Sequence, residues 1–175
     1  DFYENFSKPL LFALPAEFSH RLAVRALSLG MAPRYLRDRH TRLQISLWGK
    51  EFPNPIGMAA GFDKDCEALN GLLSLGFGFV EAGTVTPKPQ PGNTKPRLFR
   101  LPEDQAIINR LGFNSHGHDK FLQHLEAWRS SDGARLVGVN VGQNKESIDA
   151  ISDFTSGVRM FAALANYLVV NISSP

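Results

Sequence analysis

The sequence predicts an α/β fold, a parallel sheet with crossover helices behind a short helical segment. Three observations predict it. Apolar runs suited to strands recur at 55–60, 77–82, 136–141 and 167–172. A stretch with helical periodicity follows each of the first three, at about 65–75, 116–130 and 147–165. The runs are apolar at nearly every position instead of alternating, as strands covered on both faces must be. Strand and helix in alternation imply parallel pairing, because a parallel return needs a crossover.

Residues 2–30 are expected to form two short helices. Phe2, Phe6, Leu10, Leu11 and Leu14 recur at helical spacing, and Pro15 opens the second helix. There Phe18, Leu22 and Leu29 share one side with Ala23, Ala26 and Leu27 close by, while Arg21 and Arg25 lie off the stripe. Gly30 and then Pro33 end it. Leu43, Ile45 and Leu47 alternate with polar residues, and Gly49-Lys50 offers a turn before Phe52, which reads as a small separate hairpin. The division expected is an amphipathic segment over 1–42 and a βα-repeat region over 43–175. In the repeats, the three helices are carried by Leu69, Leu72 and Leu73, then by Phe121, Leu122, Leu125 and Trp128, then by Ile151, Phe154, Val158, Phe161 and Leu164. The insert at 87–114 is Pro-rich and then hairpin-like around Leu98–Leu101. Two architectures fit four such repeats, a doubly wound sheet or half of a (β/α)8 barrel.

Composition bounds the chemistry. With 175 residues, 43% hydrophobic and 21% charged, the chain reads as one globular unit and not as a disordered tail. The single cysteine, Cys66, excludes a disulfide framework and multi-Cys metal centres, and no metal is expected. Without a His partner nearby in sequence, Cys66 is expected to be helix-buried and not a nucleophile. No run of 18 apolar residues is present to span a membrane, and Asp1 opens an aromatic stretch and not the basic start of a leader peptide. Residues 1–42 carry seven Lys/Arg against four acids. That excess suits anionic lipid head groups, though on charge alone it reads first as a solvated helix face. No basic stripe or RNP-like aromatic run supports nucleic-acid binding.

The chemistry-bearing residues collect where strands end. Ala59-Ala60-Gly61-Phe62-Asp63-Lys64 follows the first run, Gly83-Thr84-Val85-Thr86 the second, and Asn140-Val141-Gly142-Gln143-Asn144 ends the third. The fourth closes on Asn171-Ile172-Ser173-Ser174-Pro175. Parallel strands send all these ends to one rim, where barrel sites form. Singly, Gly61 and Gly83 read as turns and Asp63-Lys64 as a surface pair. Asn140 and Asn171 interrupt or end apolar strands and need partners if buried. Asn109-Arg110-Leu111-Gly112-Phe113-Asn114 adds amides and an aromatic ring, or is an ordinary Asn/Gly turn. Phosphate-loop, metalloprotease and serine-elbow motifs are missing, and Gly76-Phe77-Gly78 does not complete a dinucleotide fingerprint because position 81 is Glu.

Five blocks, NPIGMAAGFDK (54–64), GFGFVEAGTVTPKPQPGNTKPRLFR (76–100), IINRLGFNSHG (107–117), GVNVGQNK (138–145) and YLVVNISSP (167–175), resemble class 2 dihydroorotate dehydrogenase in order and over nearly the whole chain. The resemblance implies a (β/α)8 barrel with FMN at the carboxyl rim, oxidising dihydroorotate to orotate in pyrimidine synthesis and passing electrons to a quinone. It implies that Ala59, Ala60, Gly61, Phe62 and Asp63 line FMN. Thr84, Asn140 and Asn171 would hydrogen-bond the flavin, Asn171 also reaching substrate, and Lys64 would contact both. Asn109, Arg110, Leu111, Gly112 and Phe113 would hold the dihydroorotate ring and carboxylate. Ser174 would be the catalytic base; class 1 relatives resemble Cys there. The N-terminal helices, through Phe2, Phe6, Leu10 and Phe18, would lie on the membrane and admit quinone past His20 and Arg100.

By the same resemblance the chain is expected to be the first half of a longer, monomeric protein, and alone neither to bind FMN tightly nor to turn over. The membrane implied is the bacterial inner membrane on its cytoplasmic side, or the mitochondrial inner membrane. Competing readings are another FMN barrel oxidoreductase, or a truncated module that binds only membrane or partner.

Overall fold

The computed structural model of the chain describes residues 3–33, 41–132 and 135–173. Phe2, Arg34, Arg37, Arg39 and Ser174 lie outside the described residues. A π-helical turn, Tyr3–Ser7, runs into α1 (Lys8–Ala13), and Pro15 precedes α2 (Ala16–Ser28). The second helix ends as its sequence requires: Gly30 turns to φ +75° and its N–H donates to Leu27 O at 3.1 Å. An antiparallel hairpin follows, β1 (Ile45–Leu47) with β2 (Lys50–Phe52).

Four strands then form one sheet: β3 (Gly57–Met58), β4 (Phe79–Val85), β7 (Leu136–Val141) and β8 (Tyr167–Val170). Between them run α3 (Leu69–Ser74), a second hairpin of β5 (Leu98–Leu101) and β6 (Ala106–Asn109), α4 (His118–Asp132) and α5 (Ala150–Phe161). The sheet order is β3-β4-β7-β8, every pair parallel. Sheet order therefore follows chain order without reversal. A doubly wound sheet reverses at its switch point. Successive right-handed crossovers in one direction instead put all the helices on one face, the winding of a barrel. One apolar cluster accordingly joins Leu69, Leu72 and Leu73 of α3, Phe121 and Leu125 of α4 and Phe161 of α5 to Val80, Ala82, Val85, Val137, Val139 and Val141 of the strands.

Element boundaries depart from the expected ones for local reasons. The first strand is two residues long. Pro55 has no N–H to give a ladder, and Asn54 uses its side chain to accept from Ile56 N (2.9 Å) and donate to Gly76 O (3.0 Å). The first helix begins at Leu69, not near 65, because both Asp63 oxygens accept backbone N–H bonds, from Glu67 and Ala68, each at 2.8 Å. These bonds hold a turn in which Cys66 takes φ +61°. Cys66 is buried, as expected, but in that turn and not in a helix. Asp149 caps α5 by accepting from Ser152 N at 3.0 Å, so the helix occupies 150–161 and not 147–165.

Helix α2 turns its slimmer side inward and keeps its apolar stripe exposed. Val24 is buried, and a Cβ placed on Gly71 of α3 would stand 2.6 Å from Leu27 O, so α2 packs closely on α3 along this side. Phe18, Leu22 and Leu29 remain exposed, as do Phe6 and Leu10. Close backbone approach at Gly71 selects the narrow side of the helix and leaves the bulky stripe facing outward.

Candidate functional site

The strand ends meet on one rim. Backbone bonds extend the sheet past its regular strands: Gly61 N donates to Gly83 O (2.8 Å), Gly83 N to Asp63 O (2.9 Å), Gly142 N to Val85 O (2.9 Å) and Asn171 N to Val141 O (2.9 Å). The segments singled out in the sequence therefore lie side by side.

A register shift decides which way Thr84 faces. Ala82 pairs with Val139 and Gly83 with Asn140, but Val85 pairs with Val141, so β4 carries one extra residue. Below the shift, Val80 and Ala82 face the helices; above it, Val85 does. The residue between is turned inward, onto the face of Asn140. There it joins a hydrogen-bonded chain. Asn171 Nδ2 donates to Thr84 Oγ1 (2.8 Å), Thr84 Oγ1 donates to Asn140 Oδ1 (2.6 Å), and Asn140 Nδ2 donates to Glu81 Oε1 (2.8 Å). Tyr167 OH reaches Glu81 Oε2 at 3.5 Å, and burial, then the Glu81 charge, pushes its phenol far above the ordinary range. Thr84 and Asn140 are 4% and 5% exposed, so the chain fixes their rotamers. Each link orients the next, and Asn171 Oδ1 is in turn pinned by Ser173 N at 3.0 Å.

Beside this chain the backbone is bare. Gly61 holds φ +108°, and a Cβ there would meet nothing within 4 Å. With Ala59 and Ala60 before it, this makes an open shelf on which a flat ring can lie against backbone. The Phe113 ring closes one side, 3.4 Å from a Cβ placed on Gly142, which would itself stand 2.6 Å from Thr84 Cγ2.

Lys64 leaves the shelf toward a cleft of about 1000 Å³ between α2 and the rim, shared with His20, Phe62, Leu111 and Asn114. Burial lowers its pKa, opposed by Asp65. Asn114 Oδ1 is buried without a partner among the described residues, an acceptor awaiting a donor. His20 Nε2 donates to Phe62 O at 2.6 Å and its ring stands edge-on to the Phe62 ring at 5.1 Å, so α2 is docked on the rim.

The remaining sequence-predicted residues sit less centrally. The Asp63 carboxyl, raised to about 6 by burial, spends both oxygens on its own turn; only its backbone joins the rim. Asn109 and Arg110 are exposed where the β5–β6 hairpin ends, and Arg110 donates to Pro96 O at 3.1 Å. Leu111 and Gly112 are held from behind by Asn93. Arg100 grips the end of α1, donating to Leu11 O (3.2 Å), Phe12 O (3.3 Å) and Leu14 O (2.9 Å) with its guanidinium 4.5 Å over the Phe12 ring. Ser174 lies outside the described residues. Sequence reasoning passed over Glu81, whose charge interrupts an apolar strand as Asn140 does, and the ion pair of Arg97 with Glu17, 80 residues apart. Among the described residues no cluster of His, Cys, Asp and Glu forms a metal site, and no helix is long and apolar enough to cross a membrane.

A family model described as Dihydroorotate dehydrogenase matches residues 42–175. The chain is 52% identical over 181 residues to the mitochondrial dihydroorotate dehydrogenase (quinone) of Mus musculus, covering 99% of this chain and 46% of that protein. It is 53% identical over 173 residues to the dihydroorotate dehydrogenase (quinone) of Rhodopseudomonas palustris (strain HaA2), covering 99% and 47%. The crystal structure of Eimeria tenella DHODH in complex with ferulenol superposes with a TM-score of 0.88 at 42% identity, covering 95% of this chain and 47% of that one. The chain thus spans about half the length of the curated relatives it matches.

Proposed function

The chain belongs to the dihydroorotate dehydrogenase family, and from that premise we propose that the protein it forms part of oxidises dihydroorotate to orotate, with FMN as its cofactor and a quinone as electron acceptor. The observation that carries this reading is the Asn171–Thr84–Asn140–Glu81 chain beside the bare Gly61 shelf. It offers fixed donors and acceptors along the edge of a planar heteroaromatic ring and leaves its face unobstructed. Asn114 Oδ1, buried and unpartnered, fits the same need for a ligand with donors.

FMN, when bound, supplies the two-electron acceptor that no side chain provides. The residues do the rest. Ala59, Ala60, Gly61 and Phe62 give the shelf, and Thr84, Asn140 and Asn171 fix the ring edge. Lys64, half-buried and with no carboxylate on its ammonium among the described residues, stabilises negative charge that develops on substrate and ring. Leu111, Gly112 and Phe113, with Asn109 and Arg110 at their start, hold the substrate ring and its carboxylate. The Ser174 hydroxyl takes the proton from substrate C5 and hands its own to a hydrogen-bonded path, which needs a site closed to water. The exposed Phe6, Leu10, Phe18 and Leu22 lay the N-terminal helices on a membrane surface, and quinone enters by the cleft past His20, with Arg100 holding α1 in place. We assign the whole protein as a monomer on the bacterial inner membrane or its mitochondrial counterpart.

In the full-length protein, dihydroorotate should bleach the flavin spectrum anaerobically. Ser174→Ala should slow that bleaching by about 10²–10⁴ while flavin stays bound. Bleaching of Ser174→Ala at the unaltered rate removes Ser174 from this role, and a wild-type protein that dihydroorotate does not bleach overturns the reading.

A further inference from the structure

The strap of residues 89–97, ahead of the β5–β6 hairpin, buries a charge for which the reaction has no direct use. Arg97 is 6% exposed, and an arginine is rarely so deep unless paired. All three of its nitrogens are committed. Nη1 donates to the carbonyls of Pro91 (2.5 Å) and Asn93 (2.9 Å). Nε and Nη2 make a two-point pair with Glu17 of α2, at 3.2 and 2.7 Å. The Glu17 carboxyl is held below its usual range, first by that hydrogen bonding and against its own desolvation.

The strap in turn holds the segment that carries Leu111, Gly112 and Phe113. Arg110 N donates to Arg97 O (2.9 Å) and Asn93 N to Leu111 O (3.0 Å). Asn93 Nδ2 donates to Arg110 O (3.0 Å) and Gln90 Nε2 to Phe113 O (2.9 Å). There is no slack between the two pieces. A Cβ on Gly92 would stand 2.2 Å from Leu111 O and 2.8 Å from Arg97 Nη1, and one on Gly112 would stand 2.7 Å from Asn93 Cγ. The strap is thus folded around one guanidinium, and 110–113 is folded against the strap.

We propose that Arg97, anchored by Glu17, is a positioning residue that sets the geometry of residues 110–113 and so ties the N-terminal helix α2 to the substrate-holding segment as one body. The proposal deepens the function given above and rests on it for the identity of the ligand; the mechanical coupling stands on these contacts alone. Without Glu17 the guanidinium is left buried and half-paired, and it recovers solvation by turning outward. Doing so withdraws Nη1 from Pro91 and Asn93, and the strap relaxes away from Leu111. Lysine at position 97 keeps the charge but, as a single point donor, cannot bridge Glu17 and two carbonyls at once. Lys95, 3.4 Å from Glu17 and largely exposed, does not reach the inside of the strap.

Glu17→Gln and Arg97→Lys in the flavin-loaded full-length protein test this, with Glu17→Asp as the conservative partner. The first measurement is amide hydrogen exchange without substrate. The Asn93 and Arg110 amides should exchange at least about fivefold faster in both variants, with Val80 and Val139 unchanged and Glu17→Asp in between. The second is the dissociation constant of orotate read from the flavin absorbance, which should rise by about fivefold or more in step with the exchange. Faster exchange confined to α2, with Asn93 and Arg110 at wild-type rates, overturns the proposal. So does loss of protection at Val80 and Val139 in Glu17→Gln, since a pair needed by the whole fold is no local positioner. If orotate fails to perturb even the wild-type flavin, the function fails while the exchange result still decides the coupling.

Discussion

On the helix side of the sheet, Val80, Ala82, Val85, Val137, Val139 and Val141 are sealed from solvent beneath Leu72, Phe121 and Phe161. On the other side the same strands carry Phe79, Glu81, Thr84, Asn140 and Tyr167. At the amino end Phe79 stacks edge-on between Phe52 and Tyr167, at 5.3 and 6.4 Å, and higher up polar groups satisfy one another. One face supplies cohesion without direction. The other supplies direction, because each polar group there has one geometry in which it is paired.

The largest expected break is on the apolar side. Phe121→Ala should cost about 3–5 kcal/mol, read as a shift of the urea midpoint at constant slope. Asn140→Ala leaves Thr84 and Glu81 short of one partner each and should cost less, about 1–3 kcal/mol by the same measurement. Its effect on flavin affinity should exceed that of Phe121→Ala. Equal losses of stability from the two changes would erase the distinction between the faces.

A subtler probe is His118, buried on the helix side with Nε2 unpartnered among the described residues and its ring edge-on to Phe161 at 5.2 Å. Desolvation lowers its pKa from 6.5, partly offset by Asp119 and Asp153. The unfolded chain therefore binds this proton more readily than the folded one. The stability is complete above the unfolded value and drains away as pH falls through the lowered one. His118→Phe should flatten the urea midpoint in that window and leave it unchanged at higher pH; an unaltered slope there would show that the ring is free to find water.

How much of this was readable beforehand follows the same division. The helix-facing strands were legible as unbroken apolar runs, and Asn140 and Asn171 as interruptions that needed partners. Glu81 interrupts its run in the same way, but it registered only as the failure of a glycine motif. The side of the sheet on which Thr84 falls was not legible, since strict alternation puts it with Val80 and Ala82. Arg97 and Glu17 were opaque for another reason: the pair is made by tertiary packing across 80 residues, and neither neighbourhood carries a local signal. The side on which α2 docks was not legible either, since close backbone contact at Gly71 chose the slimmer side and that contact is made by tertiary packing.

The supernumerary residue in β4 puts the two ends of that strand out of phase. Even-numbered positions point outward before it and odd-numbered ones after it. Deleting Thr84 would do more than delete a hydroxyl: it would restore one continuous parity and leave Gly83, which has no side chain, as the residue of β4 opposite Asn140. A redesign of this rim, or a transplant of it onto another scaffold, must carry the slip along with the side chains.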